Sequence, residues 1–216
     1  MVHRIRQCLV FVLSALVRVG LVSALALPLA SHAYVVTITA GAKAIFLQVG
    51  VGTMTGGTFS AGGTPGNNAT VNSVSVTVPA ANVGAGSVAM ITNSGVTASA
   101  YDNFTFCTVP AQVYVGGFYR APGAGASASL TVTSPASLTS GVNTISFNNI
   151  SWVSGGIGDA VATIPSGTFA AGSSQSLLTV GTNTWFESCL QFNYANSTVV
   201  PAGTFTGRVT YTLTAP

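Results

Sequence analysis

The sequence predicts an all-β fold, a sandwich or barrel of short strands. Apolar and polar residues alternate with period two along most of the chain. Clusters of Gly, Pro, Asn and Ser break this pattern at spacings of about 8–12 residues, the rhythm of antiparallel strands and turns. No stretch of helical length carries a 3.6-residue apolar repeat. Thr, Ser, Ala, Val and Asn dominate the composition, and this favours strands and turns over helices. The 25 glycines follow no Gly-X-Y period, so a collagen helix is excluded.

The elements follow in order. Tyr34 to Ala40 offers Val36 and Ile38 on one face and Thr37 and Thr39 on the other. Ala44 to Val49 is more continuously apolar, which suits a strand buried in its own sheet or an extension of the first. A glycine-rich stretch from Gly50 to Gly66 interrupts the pattern. Val71 to Val78 alternates cleanly. Further strands are expected over Ser87–Thr92, Phe104–Val109, Gln112–Tyr119, Ser127–Thr133, Asn143–Phe147, Ile150–Val153, Ala160–Ile164, Ser176–Val180, Thr184–Tyr194 and Thr204–Thr214. Pro122 to Ala126 is short enough for a hairpin loop. No linker and no fixed-period repeat divides the chain, so residues 34–216 are expected to form one domain.

The first 33 residues read as a cleaved signal peptide. Arg4, Arg6 and Arg18 precede a short apolar run, and Ser31-His32-Ala33 places small residues where a signal peptidase reads. The run after Arg18 is too short to span roughly 30 Å of hydrocarbon. The remaining chain keeps Lys43, Arg120 and Arg208 against Asp102, Asp159 and Glu187, a formal balance of zero. Charged residues make up 4% of the sequence, against roughly 25% in ordinary globular chains. Three scattered cations cannot neutralise a phosphate backbone or an anionic membrane surface, so no nucleic-acid partner is expected. Near-zero charge also removes the repulsion that keeps soluble chains apart, which suits a protein that works as an assembly.

Two cysteines remain past the signal, Cys107 and Cys189. An even count in an exported chain reads as a disulfide. Its loop of roughly 80 residues would stabilise the fold by on the order of 4 kcal/mol. The alternative, a thiol nucleophile, needs a base such as histidine. His3 and His32 both leave with the signal.

The last strand has the clearest pattern. Phe205, Gly207, Val209, Tyr211 and Leu213 share one face, and the other is almost all threonine. Pro201-Ala-Gly-Thr-Phe-Thr-Gly-Arg-Val-Thr-Tyr-Thr-Leu-Thr resembles the C-terminal strand of chaperone–usher pilins, closest to the spore-coat-U-like group with archaic pili. The resemblance implies an immunoglobulin-like or jelly-roll sandwich lacking one strand. A periplasmic chaperone would supply that strand first, and the N-terminal segment of the next subunit afterwards. An outer-membrane assembly protein is the further partner it implies. Residues 34–40, with Val36 and Ile38 entering successive pockets and Gly41 as hinge, are the candidate donor strand.

No catalytic constellation is apparent, and an enzyme is not expected. Asp159 and Glu187 are the one conceivable acid pair. Asp159 sits in a glycine-rich turn, and Glu187 reads as a solvated strand position. Asp102-Asn103 lacks the repeated oxygen ligands of a calcium loop, so no metal or cofactor is expected. Lys43 joining an asparagine in an isopeptide bond is a minor alternative. Trp152, Trp185, Tyr114, Tyr119 and Tyr194 either fill the core or stack on sugars. Asn68, Asn103, Asn149 and Asn196 open Asn-X-Ser/Thr triplets that reflect composition. The expected function is a structural subunit of a bacterial extracellular filament, a polymer of this chain joined by donor-strand exchange. The alternative is a secreted carbohydrate-binding adhesin module. A small outer-membrane barrel fits less well, because such chains commonly end on an aromatic and this one ends on Pro216. The mature chain is not expected to span a membrane.

Overall fold

A computed structural model describes residues 38–53, 72–155 and 163–216. The signal segment, Val36, Asn68, Asp159 and the first half of the strand expected over Ala160–Ile164 lie outside them. The strands are β1 (Ala44–Val49), β2 (Gly52–Thr53), β3 (Val74–Ser75), β4 (Val88–Ala89), β5 (Ile91–Thr92), β6 (Gln112–Arg120), β7 (Ala128–Thr133), β8 (Ser137–Ser140), β9 (Asn143–Ser146), β10 (Ile150–Gly155), β11 (Gly167–Thr168), β12 (Ser174–Val180), β13 (Thr184–Tyr194) and β14 (Thr210–Thr214). The helical content of the described residues is two single turns, Ala80–Asn82 and Phe147–Asn149. None of the described helices is long and apolar enough to cross a membrane.

The fold is the expected all-β sandwich. Its large sheet runs β11-β10-β13-β6-β1-β2, with β4 joining β13, and its small sheet runs β12-β7-β14. Every pairing among the described strands is antiparallel. Alternation decides which side chains meet. On β6, Val113, Val115 and Tyr119 point inward, and on β13 Phe186, Leu190 and Phe192 do the same. They pack against Leu130 and Val132 of β7, Val180 of β12 and Leu213 of β14. Burying each such side chain contributes about 1.5–3 kcal/mol. Trp152 of β10 anchors one end of this core, with its ring 4.9 Å from Phe169 and its indole N–H donating to the Pro165 carbonyl at 2.8 Å.

The threonine-rich face of the last strand points outward. In the β14–β7 ladder Leu213 lies opposite Leu130 and Tyr211 opposite Val132, while Thr212 faces Thr131 and Thr210 faces Thr133. The strand is shorter than the alternation suggests. Thr206 makes an isolated bridge to Thr139 of β8, so the chain first crosses the β8–β9 hairpin and joins β7 only at Thr210. The crossing is close at Gly207, where a Cβ would come within 2.8 Å of Leu138 Cδ2 and Phe147 Cε2.

Two other expectations change. Pro122 to Ala126 is not a hairpin loop, because it carries the chain from β6 in the large sheet to β7 in the small one. Phe104 to Val109 makes only a single bridge, Thr105 to Ala98. Val74, Val76 and Val78 are half-buried against the core as their alternation requires. Only Val74 and Ser75 enter a ladder.

Candidate functional site

The N-terminal segment enters the sheet later than its alternation suggests. Ile38 is half-buried and Ile38 to Ala40 carry no strand ladder. Gly41 is tied down rather than a hinge. Its N–H donates to the Ala121 carbonyl at 3.4 Å, and Arg120 Nε donates to the Ala42 carbonyl at 3.0 Å. From Ala44 onward β1 pairs with β6 along its whole length, and β2 covers its other side only at Gln48 and Val49. Any segment free to leave the subunit therefore ends before Gly41.

At the other end of the chain, β14 is an edge strand. Among the described residues it pairs with β7 alone, and it runs close to β1. Alternate main-chain N–H and C=O groups of such a strand point away from its neighbour and offer a template for a further strand. Phe205, Val209 and Tyr211 are half-buried and Leu213 is buried, so the apolar face of this segment points inward.

The outer face of the large sheet is built differently. Register places Phe46, Phe118 and Trp185 side by side on β1, β6 and β13, with ring centroids 6.0–6.2 Å apart. Tyr101 lies on Trp185 at 5.2 Å. Further along β13, Glu187 stands opposite Gly116, and Cys189 opposite Tyr114. The missing side chain at Gly116 leaves room for the Tyr114 ring, whose hydroxyl donates to Glu187 Oε2 at 3.0 Å. The Ala100 N–H donates to the same Tyr114 hydroxyl at 3.3 Å. A disulfide joins Cys107 to Cys189, with Cα atoms 5.4 Å apart.

Glu187 is thus not a solvated strand residue. It is 0% exposed, because β13 turns it onto a face roofed by the segment around residues 97–107. Sequence reasoning had no signal for this, since the covering segment lies some eighty positions away. Asp102 Oδ1 accepts the Phe104 N–H at 2.9 Å, a local turn bond. Among the described residues no group of three or more His, Cys, Asp or Glu side chains could hold a metal ion. Lys43 is exposed just before β1.

The aromatics named for sugar stacking are core residues. Trp152, Trp185, Tyr114, Tyr119 and Tyr194 are all buried, so none presents a ring face to solvent. The exposed rings among the described residues are Tyr101 and Phe104. Asn196 is also buried, with its side-chain amide donating to the Asn82 carbonyl at 2.8 Å and accepting from the Gly84 N–H at 3.1 Å.

Burial pushes the Tyr114 phenol well above its ordinary range, and the neighbouring Glu187 charge adds to this against the bond from Ala100. In the unfolded chain Tyr114 loses its proton near pH 10, whereas in the fold it keeps it. Above that pH the unfolded state binds fewer protons, so stability falls by about 1.4 kcal/mol per pH unit. Burial raises the Tyr211 phenol in the same direction, so urea titrations between pH 8 and 11 should show the sum of both declines, and Tyr114→Phe should remove only the Tyr114 share. Compared with known proteins, the chain matches no family model, no curated protein and no solved structure.

Proposed function

We propose that this chain is the repeating structural subunit of a bacterial extracellular filament, each copy donating its N-terminal segment to an open edge of the next. The observation that carries the reading is the placement of β14, a strand at the edge of the small sheet with an inward apolar face and one unpartnered side among the described residues. Main-chain hydrogen bonds to such an edge supply affinity, and alternate side chains supply register. Val36 and Ile38 have the required spacing, and they precede the point at which Gly41 is fastened to Ala121. The zero formal charge beyond residue 33 removes electrostatic opposition to polymerisation. The partners under this reading are further copies of the chain, a periplasmic chaperone and an outer-membrane assembly protein.

Negative-stain microscopy of sheared cell-surface material tests the proposal. Wild-type chain should appear in fibres. Deleting Tyr34 to Ala40, or making Ile38→Asp, should leave a folded, disulfide-bonded monomer that does not polymerise, because a carboxylate entering an apolar pocket is costly. Fibres of normal length from either variant would sink strand exchange through this segment.

A further inference from the structure

Residues 97–107 form a small hairpin that lies on the large sheet without joining it. Ser99 N–H donates to the Phe104 carbonyl at 2.9 Å, and Asn103 N–H to the Ser99 carbonyl at 3.2 Å. Phe106 and Cys107 N–H groups both donate to the Thr97 carbonyl, at 2.9 and 3.0 Å. Among the described residues no backbone-to-backbone bond connects this hairpin to β6 or β13 beneath it. Its attachments run through side chains. Tyr114 accepts the Ala100 N–H, Phe106 sets its ring against Tyr114 at 6.0 Å, Tyr101 rests on Trp185, and one covalent bond reaches Cys189.

The apolar cluster under the hairpin is separate from the main core. It consists of Cys107, Tyr114 and Cys189, with Val96 and Phe106 packed against it. Such a small cluster buries little apolar surface, and it also encloses the Glu187 carboxyl, whose removal from water opposes closure. The large sheet, by contrast, holds its inner face against the small sheet with no help from the hairpin.

We propose that residues 97–107 are a redox-closed flap, shut over Glu187, Tyr114 and Trp185 by oxidation of Cys107 and Cys189 and open when the two thiols are reduced. Closure is a thiol–disulfide exchange. The two Sγ atoms form one S–S bond and give up two electrons and two protons. A small-molecule or protein disulfide accepts both, its own S–S bond breaking to two thiols. A chain passing from a reducing to an oxidising compartment would close its flap on arrival. The inference is independent of filament assembly.

Amide hydrogen exchange on the full chain tests it, with acrylamide quenching of Trp185 in a Trp152→Phe background. The disulfide-bonded protein should protect the amides of Phe106 and Cys107 and shield Trp185. The double variant Cys107→Ala, Cys189→Ala should lose at least tenfold more protection across 97–107 than the uniform loss that lower global stability imposes on β7, β10 and β13, and should expose Trp185. Native protein reduced with dithiothreitol after folding provides the same comparison if the double variant fails to fold. A hairpin equally protected without the bond would overturn the flap. So would loss of protection by the same factor in hairpin and core, since the hairpin would then open only together with the whole sandwich. Adding Glu187→Gln to the double variant should restore several-fold protection, because a neutral amide is less costly to bury than a carboxylate. Unchanged opening would overturn the part assigned to Glu187.

Discussion

Gly117→Val should remove a large part of the fold's stability. Gly117 sits in β6 opposite Leu47 of β1 and opposite Phe186 of β13, at a point where three strands meet. A Cβ there would collide with the Phe46 backbone carbonyl and stand 3.1 Å from Phe186 Cζ. The first neighbour is main chain and cannot rotate away. The second is 0% exposed and packed on all sides. The variant must break either the β1–β6 ladder or the inner packing of β13, at about 3 kcal/mol or more. That is a large part of the roughly 5–15 kcal/mol by which domains are stable. Gly123→Val is the control. Gly123 is exposed, with nothing within 4 Å of the place a Cβ would occupy, and the change should shift stability by less than about 0.5 kcal/mol. Urea unfolding followed by circular dichroism reads both, and a two-state Gly117→Val transition near the wild-type midpoint would refute the packing argument.

Loss of the disulfide should have an effect of similar size by a different route. Cys107 and Cys189 are 82 positions apart, so the bond removes a large amount of freedom from the unfolded chain. The chain-entropy relation gives about 4 kcal/mol for a loop of this length. Cys107→Ala with Cys189→Ala should therefore lower the urea midpoint strongly while the slope with denaturant rises, because the unfolded state expands. A change below about 1 kcal/mol would mean that the unfolded chain is already compact in this region.

The parts of the fold legible in the sequence are those where one face is buried and the other wet. β7, β9 and β12 fall within two residues of their expected bounds, because Leu130, Val132, Ile145 and Val180 alternate with small polar residues; β13, buried on both faces, is marked instead by its long run of aromatic and apolar residues. β8, Ser137-Leu-Thr-Ser, was not legible. It has one apolar side chain and is held by its partner β9 rather than by burial. The end of the chain read as one strand from Thr204, yet alternation cannot tell which neighbour a strand pairs with, and the segment changes neighbour between Thr206 and Thr210. At the outer face the cysteine pair was legible from its count alone. The burial of Glu187 was not, since it depends on a hairpin whose internal bonds leave no periodic trace.

The position of the disulfide also governs how the molecule answers to tension. Pulled at its two ends, a chain closed between Cys107 and Cys189 can lengthen only by the residues outside that loop. The 82-residue separation holds back about 280 Å of extended chain at roughly 3.4 Å per residue. β6, β7, β10, β12 and the first half of β13 lie inside the loop, so β1 and β14 would be the strands to come away first. A stretched subunit would stop short with the centre of both sheets still enclosed, and would recoil from a template rather than from a bare chain.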